Sequence, residues 1–439
     1  MNAAVAYAPP AGVALGLLCL WGSLRLRRKR RLIDDLPTAK AQGVFIGLVE
    51  LKGTAEAEAP LTAYLSGRRC VHYRYRVDEH WSRTVTETYT DKDGRTRTRT
   101  RQESGWTTVA DSGEITDFYL QDDTGAVLVR PEGAKIEPAG FFDVTCARGD
   151  PLYYAKGPAQ AVANSDHRRR FVESGVPLHA SLYVVGPARE RADVVAPEIA
   201  AEHEAPMFLI STRTEARVRA GLGRGIWALT LLGGLAFLGG FALRNHVGLQ
   251  RAIAECWPQY AGLAAGFAGL AAVGWVWMAY NSLVGLRNRV QQAWSLVDVQ
   301  LKRRHDLIPR LVETVAALRT HEATTQTALA ALRGQLAATP PGVAGPDFSG
   351  CVPALRAVAE AYPDLKSNTA FLGLQKQLTE TEQRIALARA YFNDIATYFN
   401  TRLGIVPDRW IAALGGMQPQ ALLAAVDFER AAVPVKLAE

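Results

Sequence analysis

Lys302-Arg303-Arg304-His305-Asp306 is the densest polar cluster in the chain and the first place to look for chemistry. A histidine with an aspartate can serve as an acid–base pair. On a helix, though, neighbouring residues point about 100° apart, so His305 and Asp306 do not face one another. Spacings of four pair Asp298 with Lys302 and Lys302 with Asp306, which reads as salt bridging or a contact between copies. His203-Glu204 and His321-Glu322 each begin a zincin-like string, but Met207 and Thr325 stand where the second histidine is needed. Cys70 and His72 share a strand face with no acidic neighbour close by in sequence, and the thiol reads as buried or at a strand edge. The five cysteines, Cys19, Cys70, Cys146, Cys256 and Cys351, form no CxxC pair, which excludes zinc ribbons and disulfide frameworks. P-loop, GxGxxG, GxSxG and EF-hand patterns are absent. No catalytic, cofactor-binding or metal-ligating residue is expected, and the chain reads as a non-enzyme.

The elements that carry these residues are set by where apolar residues gather. The 439 residues are enough for two or three domains, and a 48% hydrophobic content excludes a disordered chain. Residues 1–24 carry no charged side chain and are followed by Arg25, Arg27, Arg28, Lys29, Arg30 and Arg31. A cleaved signal peptide has the opposite order, so this reads as an uncleaved anchor with its basic end in the cytoplasm. The basic cluster is a candidate membrane-surface contact, within a juxtamembrane linker over 25–39. Further apolar runs predict spans at 225–243 and 258–280, each long enough for about 30 Å of hydrocarbon. Arg213, Arg217, Arg219 and Arg224 precede the second span, and Arg287 and Arg289 follow the third. These flanks predict a multi-pass protein of a prokaryotic cytoplasmic membrane, its N-terminus outside and both large soluble regions cytoplasmic. Gly262 and Gly266 have the spacing of a close helix contact.

Residues 40–212 read as β-rich. Val71, Tyr73, Tyr75 and Val77 alternate with His72, Arg74 and Arg76, as in a half-buried strand. Asp123-Thr124-Gly125 turns a hairpin between Phe118 and Val129. A second hairpin runs from Trp81 through Asp93-Gly94 to Trp106. Its return arm places Arg95, Arg97, Arg99 and Arg101 on one face. Two readings of this face stand: a solvated edge that resists aggregation, or a surface for lipid headgroups or an acidic protein partner. Nucleic acid is not expected, because stacking aromatics are sparse there.

The run Gly47-Leu48-Val49-Glu50-Leu51-Lys52-Gly53, with Leu65-Ser66-Gly67, Cys70-Val71-His72-Tyr73-Arg74-Tyr75, Trp106 and Asp122-Asp123-Thr124-Gly125, resembles the GIDE (or BAM) domain. That domain is known from membrane-anchored E3 ubiquitin ligases and prokaryotic membrane proteins. In those ligases a zinc-binding RING performs the chemistry, and this chain has no eight Cys/His ligands at RING spacing. The resemblance implies a recognition or assembly unit, with a ligase-like component as the alternative.

Residues 281–439 read as helical. Leu283, Leu286, Val290, Ala293, Val297 and Leu301 recur at helical spacing in one long helix toward Leu336, with a kink expected at Pro309. A Pro/Gly linker over 339–346, a short helix over 352–362, a long helix over 364–400 and a last one over 407–414 follow. Tyr280-Asn281-Ser282-Leu283-Val284-Gly285-Leu286-Arg287, Ala293-Trp294, Val299-Gln300-Leu301-Lys302-Arg303-Arg304-His305-Asp306 and Leu374-Gln375-Lys376-Gln377-Leu378 are similar to the LemA family. Where that family has Tyr-Asn, this chain has Phe392-Asn393 and Phe399-Asn400. The resemblance implies an elongated antiparallel helical bundle without established catalysis, in which Asn281, Arg287, Trp294, Asp298, Lys302, Arg303, Arg304 and Asp306 make motif contacts. The fold class expected is therefore a membrane protein of α+β multidomain type, with three transmembrane helices, a β-rich domain and a helical bundle. Membrane lipids and further copies of the chain are the expected partners, with a cytoplasmic protein partner a further candidate. The expected function is a non-enzymatic self-associating scaffold.

Overall fold

The computed structural model describes residues 3–90, 96–191, 196–203, 205–318 and 369–423. The chain divides into two compact units, Thr38–Val218 and a second built from Met1–Pro37 with Arg219–Glu439.

The first unit is β-rich, as the alternating patterns require. Strands β2 (Gly47–Glu56), β6 (Phe118–Gln121), β7 (Ala126–Val129), β11 (Ser181–Glu190) and β12 (Pro197–Ile199) pair in a ring. The order is β2–β6–β7–β12–β11 and back to β2, which closes a small barrel. Closure removes the open edges from these strands. Val49, Leu51, Phe118, Leu120, Val127, Val129, Val184 and Ile199 fill its core. Short strands β1 (Thr38–Ala39), β8 (Lys135–Glu137) and β13 (Leu209–Ser211) extend the same sheet.

A second sheet is built on the two longest strands, β4 (Arg69–Thr90) and β5 (Thr96–Ile115). On its other side β4 pairs with β10 (Ser165–Pro177), which pairs with β9 (Ala139–Ala147); β3 (Leu61–Thr62) adds to β4 at Cys70. The β10 register on β4 ends at Trp81, whereas the β5 register continues from Trp81↔Gly105 to Thr90↔Thr96. Beyond Trp81 the sheet is thus a two-stranded ribbon. At about 3.4 Å per residue its nine residues from Ser82 to Thr90 reach roughly 30 Å past the last three-stranded position. A five-residue helix, α3 (Pro151–Ala155), is started by Asp150, whose carboxylate accepts from the Leu152 N–H.

The other unit is helical. After one turn, α1 (Ala3–Ala6), come α2 (Ala8–Asp34), α4 (Glu215–Ala242), α5 (Ile253–Leu318), α6 (Thr369–Gly404) and α7 (Asp408–Leu414). Helices α2, α4 and α5 are long and apolar enough to cross a membrane. Helix α2 includes the basic run and ends at Asp34, so 25–34 is helix, where a linker was expected. A charged segment continues a helix readily, because its backbone bonds are already nucleated by the apolar turns before it.

Glycine brings α2 and α4 together. A Cβ at Gly12 would sit 2.5 Å from the Ala236 carbonyl oxygen, and one at Gly16 3.0 Å from the Gly233 carbonyl oxygen. Ser23 and Thr230 hydroxyls meet at 2.7 Å farther along. This is the small-residue contact that Gly262 and Gly266 were expected to make. Those two have nothing within 4 Å of the Cβ position. Their spacing is right, but no described helix lies on that face of α5.

Helices α5 and α6 run antiparallel. Trp294 packs edge-on against Phe392, and ten residues on Arg304 lies 3.6 Å from Glu382. Leu283, Leu286, Val290, Ala293 and Val297 of α5, and Ile385, Ala388, Phe392, Ile395 and Phe399 of α6, are buried. Helix α5 continues through Pro309 as one element. The linker at 339–346, the helix at 352–362, Cys351 and His321-Glu322 lie outside the described residues.

Candidate functional site

The basic end of α2 meets the C-terminal helices in a buried polar cluster. Asp35, the residue after α2, accepts from Ser282 Oγ of α5 at 2.9 Å and from Arg402 Nη1 of α6 at 2.7 Å. Arg402 Nε donates to Asp408, the first residue of α7, and Arg31 Nη2 reaches the same carboxylate at 3.3 Å. Arg289 of α5 reaches the Asp35 carbonyl. Arg31 also lies over the Trp275 ring, 5.6 Å from its centroid. Burial pulls the Arg402 pKa down, but the Asp35 and Asp408 carboxylates outweigh it and the net shift is upward. One Nη of Arg31 and one of Arg402 are buried without a hydrogen-bond partner among the described residues.

Of the expected motif contacts, the cluster uses the neighbours. Asn281 and Arg287 are exposed, while Ser282 and Arg289 turn inward. Lys302, Arg303 and Asp306 are exposed, and among the described residues no ion pair joins Lys302 to Asp298 or Asp306. Arg304 is the buried member of the run, on Glu382. A long-range partner on α6 thus replaces the local i,i+4 pairs expected from spacing.

The Phe-Asn pairs have a role that spacing alone did not expose. Phe392 and Phe399 are buried, and the asparagine after each holds the segment that follows α7. Asn393 donates to the Leu423 carbonyl and accepts from its N–H, at 3.0 and 2.9 Å. Asn400 does the same for Gln420, at 2.8 Å each way. Two asparagines seven apart lie on one helix face, which was the available signal.

In the β-unit, Arg99 and Arg101 are exposed on the free ribbon, with Glu87 and Val85 opposite. Arg97 pairs in register with Tyr89, and Arg95 lies outside the described residues, as do Asp93 and Gly94. The opposite face carries Thr84, Thr86 and Thr88 against Gln102, Thr100 and Thr98. Of the α2 basic cluster, Arg25 stacks over Trp21 and Arg30 pairs with Asp34, while Arg27 is half-buried and Arg28 and Lys29 are exposed.

Burial, with Glu173 nearby, raises the Cys70 thiol to about 11, so it stays protonated. His80 Nδ1 lies 2.5 Å from Asp166, but no serine, threonine or cysteine partner is seen on that ring among the described residues. A cleft of about 850 Å³ is lined by Lys52, Thr54, Gln121, Tyr183, Arg213 and Glu215. Its ammonium is neutralised: Lys52 Nζ lies 2.8 Å from Glu215 and 3.4 Å from Glu50. Burial lowers the Lys52 pKa, but these carboxylates raise it on balance, the opposite of what a nucleophilic lysine needs. Among the described residues no three His, Cys, Asp or Glu side chains gather as a metal site.

Two family matches cover separate stretches of the chain. Residues 293–437 match the LemA family. Residues 86–243 match the GIDE model, which is described as E3 Ubiquitin ligase. Protein LemA of Metamycoplasma hominis is 25% identical over 155 residues, 34% of this chain and 71% of that protein. No solved structure matches. The LemA match takes in α5 from Ala293, all of α6 and α7, and therefore Arg402, Asp408 and both asparagine clamps. Asp35, which closes the buried cluster, lies outside both matches.

Proposed function

We propose that this chain is a non-catalytic membrane scaffold that assembles with further copies of itself. In this reading α2, α4 and α5 cross a prokaryotic cytoplasmic membrane with the N-terminus outside. Both large soluble regions, one GIDE-like and one LemA-like, lie on the cytoplasmic side, where the flanking arginines favour retention. The observation that carries the reading is the cluster around Asp35. A buried set of charges joining α2 to α5, α6 and α7 makes the LemA-matching helices a stiff continuation of the apolar ones. A flexible tether would need no such fitting, and burying charges costs free energy unless geometry is maintained. Apolar helix faces rich in glycine support lateral packing of copies.

The test is the mass of the purified chain in a gentle amphiphile, by mass photometry with negative-stain imaging. A single assembly several-fold heavier than one chain is expected, and a monodisperse monomer would sink the scaffold reading. A second reading, an adaptor that recruits an acidic cytoplasmic protein, is favoured by the ribbon beyond Trp81. It requires Arg99→Ser with Arg101→Ser to abolish capture of that protein, and undiminished capture rejects it. A ligase-like component, the further alternative carried by the GIDE match, requires stoichiometric zinc in the purified protein or a separate RING-bearing partner.

A further inference from the structure

Helix α7 has a face that the described residues of the helical unit leave exposed. Asp408, Ile411 and Ala412 are buried, while Trp410 is 64% and Leu414 90% exposed. Ile405 and Val406, just before the helix, are exposed as well. Four large apolar side chains within ten residues thus point to solvent, with Arg409 exposed among them. Scattered exposed hydrophobics need no explanation, but a cluster at the end of a pinned helix does.

The location of α7 supplies the explanation. Its first residue, Asp408, is held by Arg31 in the last turn of α2 and by Arg402. Just past its last residue, a Cβ on Gly415 would come within 3.0 Å of the Tyr280 ring of α5. Tyr280 ends the apolar part of the uncharged run between Glu255 and Arg287; Arg31 lies in the basic run that follows the apolar part of α2. So α7 sits where both α2 and α5 pass from uncharged to basic sequence. In a helix that crosses a bilayer, that passage marks the headgroup region, where tryptophan and arginine are at home.

We propose that Ile405, Val406 and α7 form an interfacial lipid contact, with Trp410 and Leu414 entering the acyl boundary and Arg409 at the phosphates. The occupant is the bilayer itself. A second copy of the chain covering the same face is the competing outcome. The inference rests on the membrane reading above, and the test separates the two.

The full chain, with Cys351→Ser, is reconstituted in nanodiscs of phosphatidylcholine and phosphatidylglycerol. Single cysteines carry an environment-sensitive NBD label, and quenching is read when lipids brominated near the top of the acyl chain are substituted. The described native cysteines, Cys19, Cys70, Cys146 and Cys256, are buried and free. Leu414→Cys is the probe, and Trp410→Cys repeats it should the first variant fold poorly. Leu235→Cys, exposed on α4, reports the membrane reading, and Leu422→Cys, beside the Asn393 clamp, reports a site back along α6. Expected is a loss of NBD intensity at 414 comparable with that at 235 and no loss at 422. Quenching at 235 without quenching at 414 overturns the inference and leaves the membrane reading standing. A blue-shifted but unquenched label at 414 means protein covers the face, which also overturns it. No quenching at either 235 or 414 overturns the membrane reading itself.

Discussion

Each unit buries a charged cluster, and the two are built differently. In the β-unit, Arg169 and Glu79 are both fully buried. Glu79 also accepts from Tyr153 at 2.8 Å and Ser165 at 2.6 Å, while Arg169 donates to the carbonyls of Tyr153, Pro158 and Gln160. Its guanidinium lies over the Tyr153 ring, 4.0 Å from the centroid. Nearly every polar atom there has a partner, and the partners come from neighbouring strands, the short helix α3 and the loop after it. In the Asp35 cluster of the helical unit, Arg31 and Asp408 are 377 residues apart, and one buried nitrogen each of Arg31 and Arg402 lacks a hydrogen-bond partner among the described residues. The satisfied cluster belongs to the stability of one fold. The other brings together distant parts of the chain and is less completely paired among the described residues.

The comparison breaks most sharply at Arg169. Arg169→Met strands the Glu79 carboxylate in a dry site, and a loss of about 3–5 kcal/mol is expected. Hydrogen exchange should rise across β4, β9 and β10 while α5 and α6 keep their protection. If both units lose protection together, the two clusters are not independent. Arg402→Ala is expected to cost less, about 2–3 kcal/mol, because Arg31 still faces Asp408 and the solvent is closer. Exchange should rise in α7 and at the end of α2, with β4 and β10 unchanged; a silent α7 would mean the cluster is not its anchor.

Acid sharpens the contrast. Burial raises the Glu79 pKa, but the hydrogen bonds from Ser165, Tyr153 and Arg169 lower it on balance. The folded pKa is then below the unfolded value of about 4.3. Its stabilisation is present above that value and is lost as pH falls through the folded pKa. Exchange protection of β4 and β10 should therefore decline below about pH 4. Glu79→Gln should flatten that decline. A variant whose protection falls with the same pH dependence would exclude Glu79 as the cause. The smallest effect is expected at the clamps. Asn393→Ala removes two partly exposed hydrogen bonds, at about 1 kcal/mol each. Faster exchange confined to residues 420–423 is the expected result, and its spread along α6 would assign the asparagine a larger part.

Much of this was legible in the pattern of residues. The strand at Val71–Val77, the Asp123-Thr124-Gly125 hairpin and the helix stripe from Leu283 to Leu301 depend on local periodicity, which any window of the chain displays. What misled was polar spacing. Asp298, Lys302 and Asp306 have the right intervals for local pairs, yet the paired residue is Arg304, whose partner Glu382 lies on another helix. Gly262 and Gly266 have the interval of a helix contact, as Gly12 and Gly16 do, and only the second pair has a neighbouring backbone to approach. An interval says which side chains share a face, and what lies opposite is set by a different stretch of chain.

By itself, the order of residues determined three apolar helices, a β-rich segment and a helical C-terminal segment, because hydrophobic period and length are properties of consecutive residues. Tertiary structure alone decided the barrel closure between β2 and β11, the Glu79–Arg169 pair, the Asp35–Arg402–Asp408 junction and the exposed face of α7. The first three join residues far apart in sequence, and the last is what such joining leaves uncovered; both depend on geometry that no local pattern encodes.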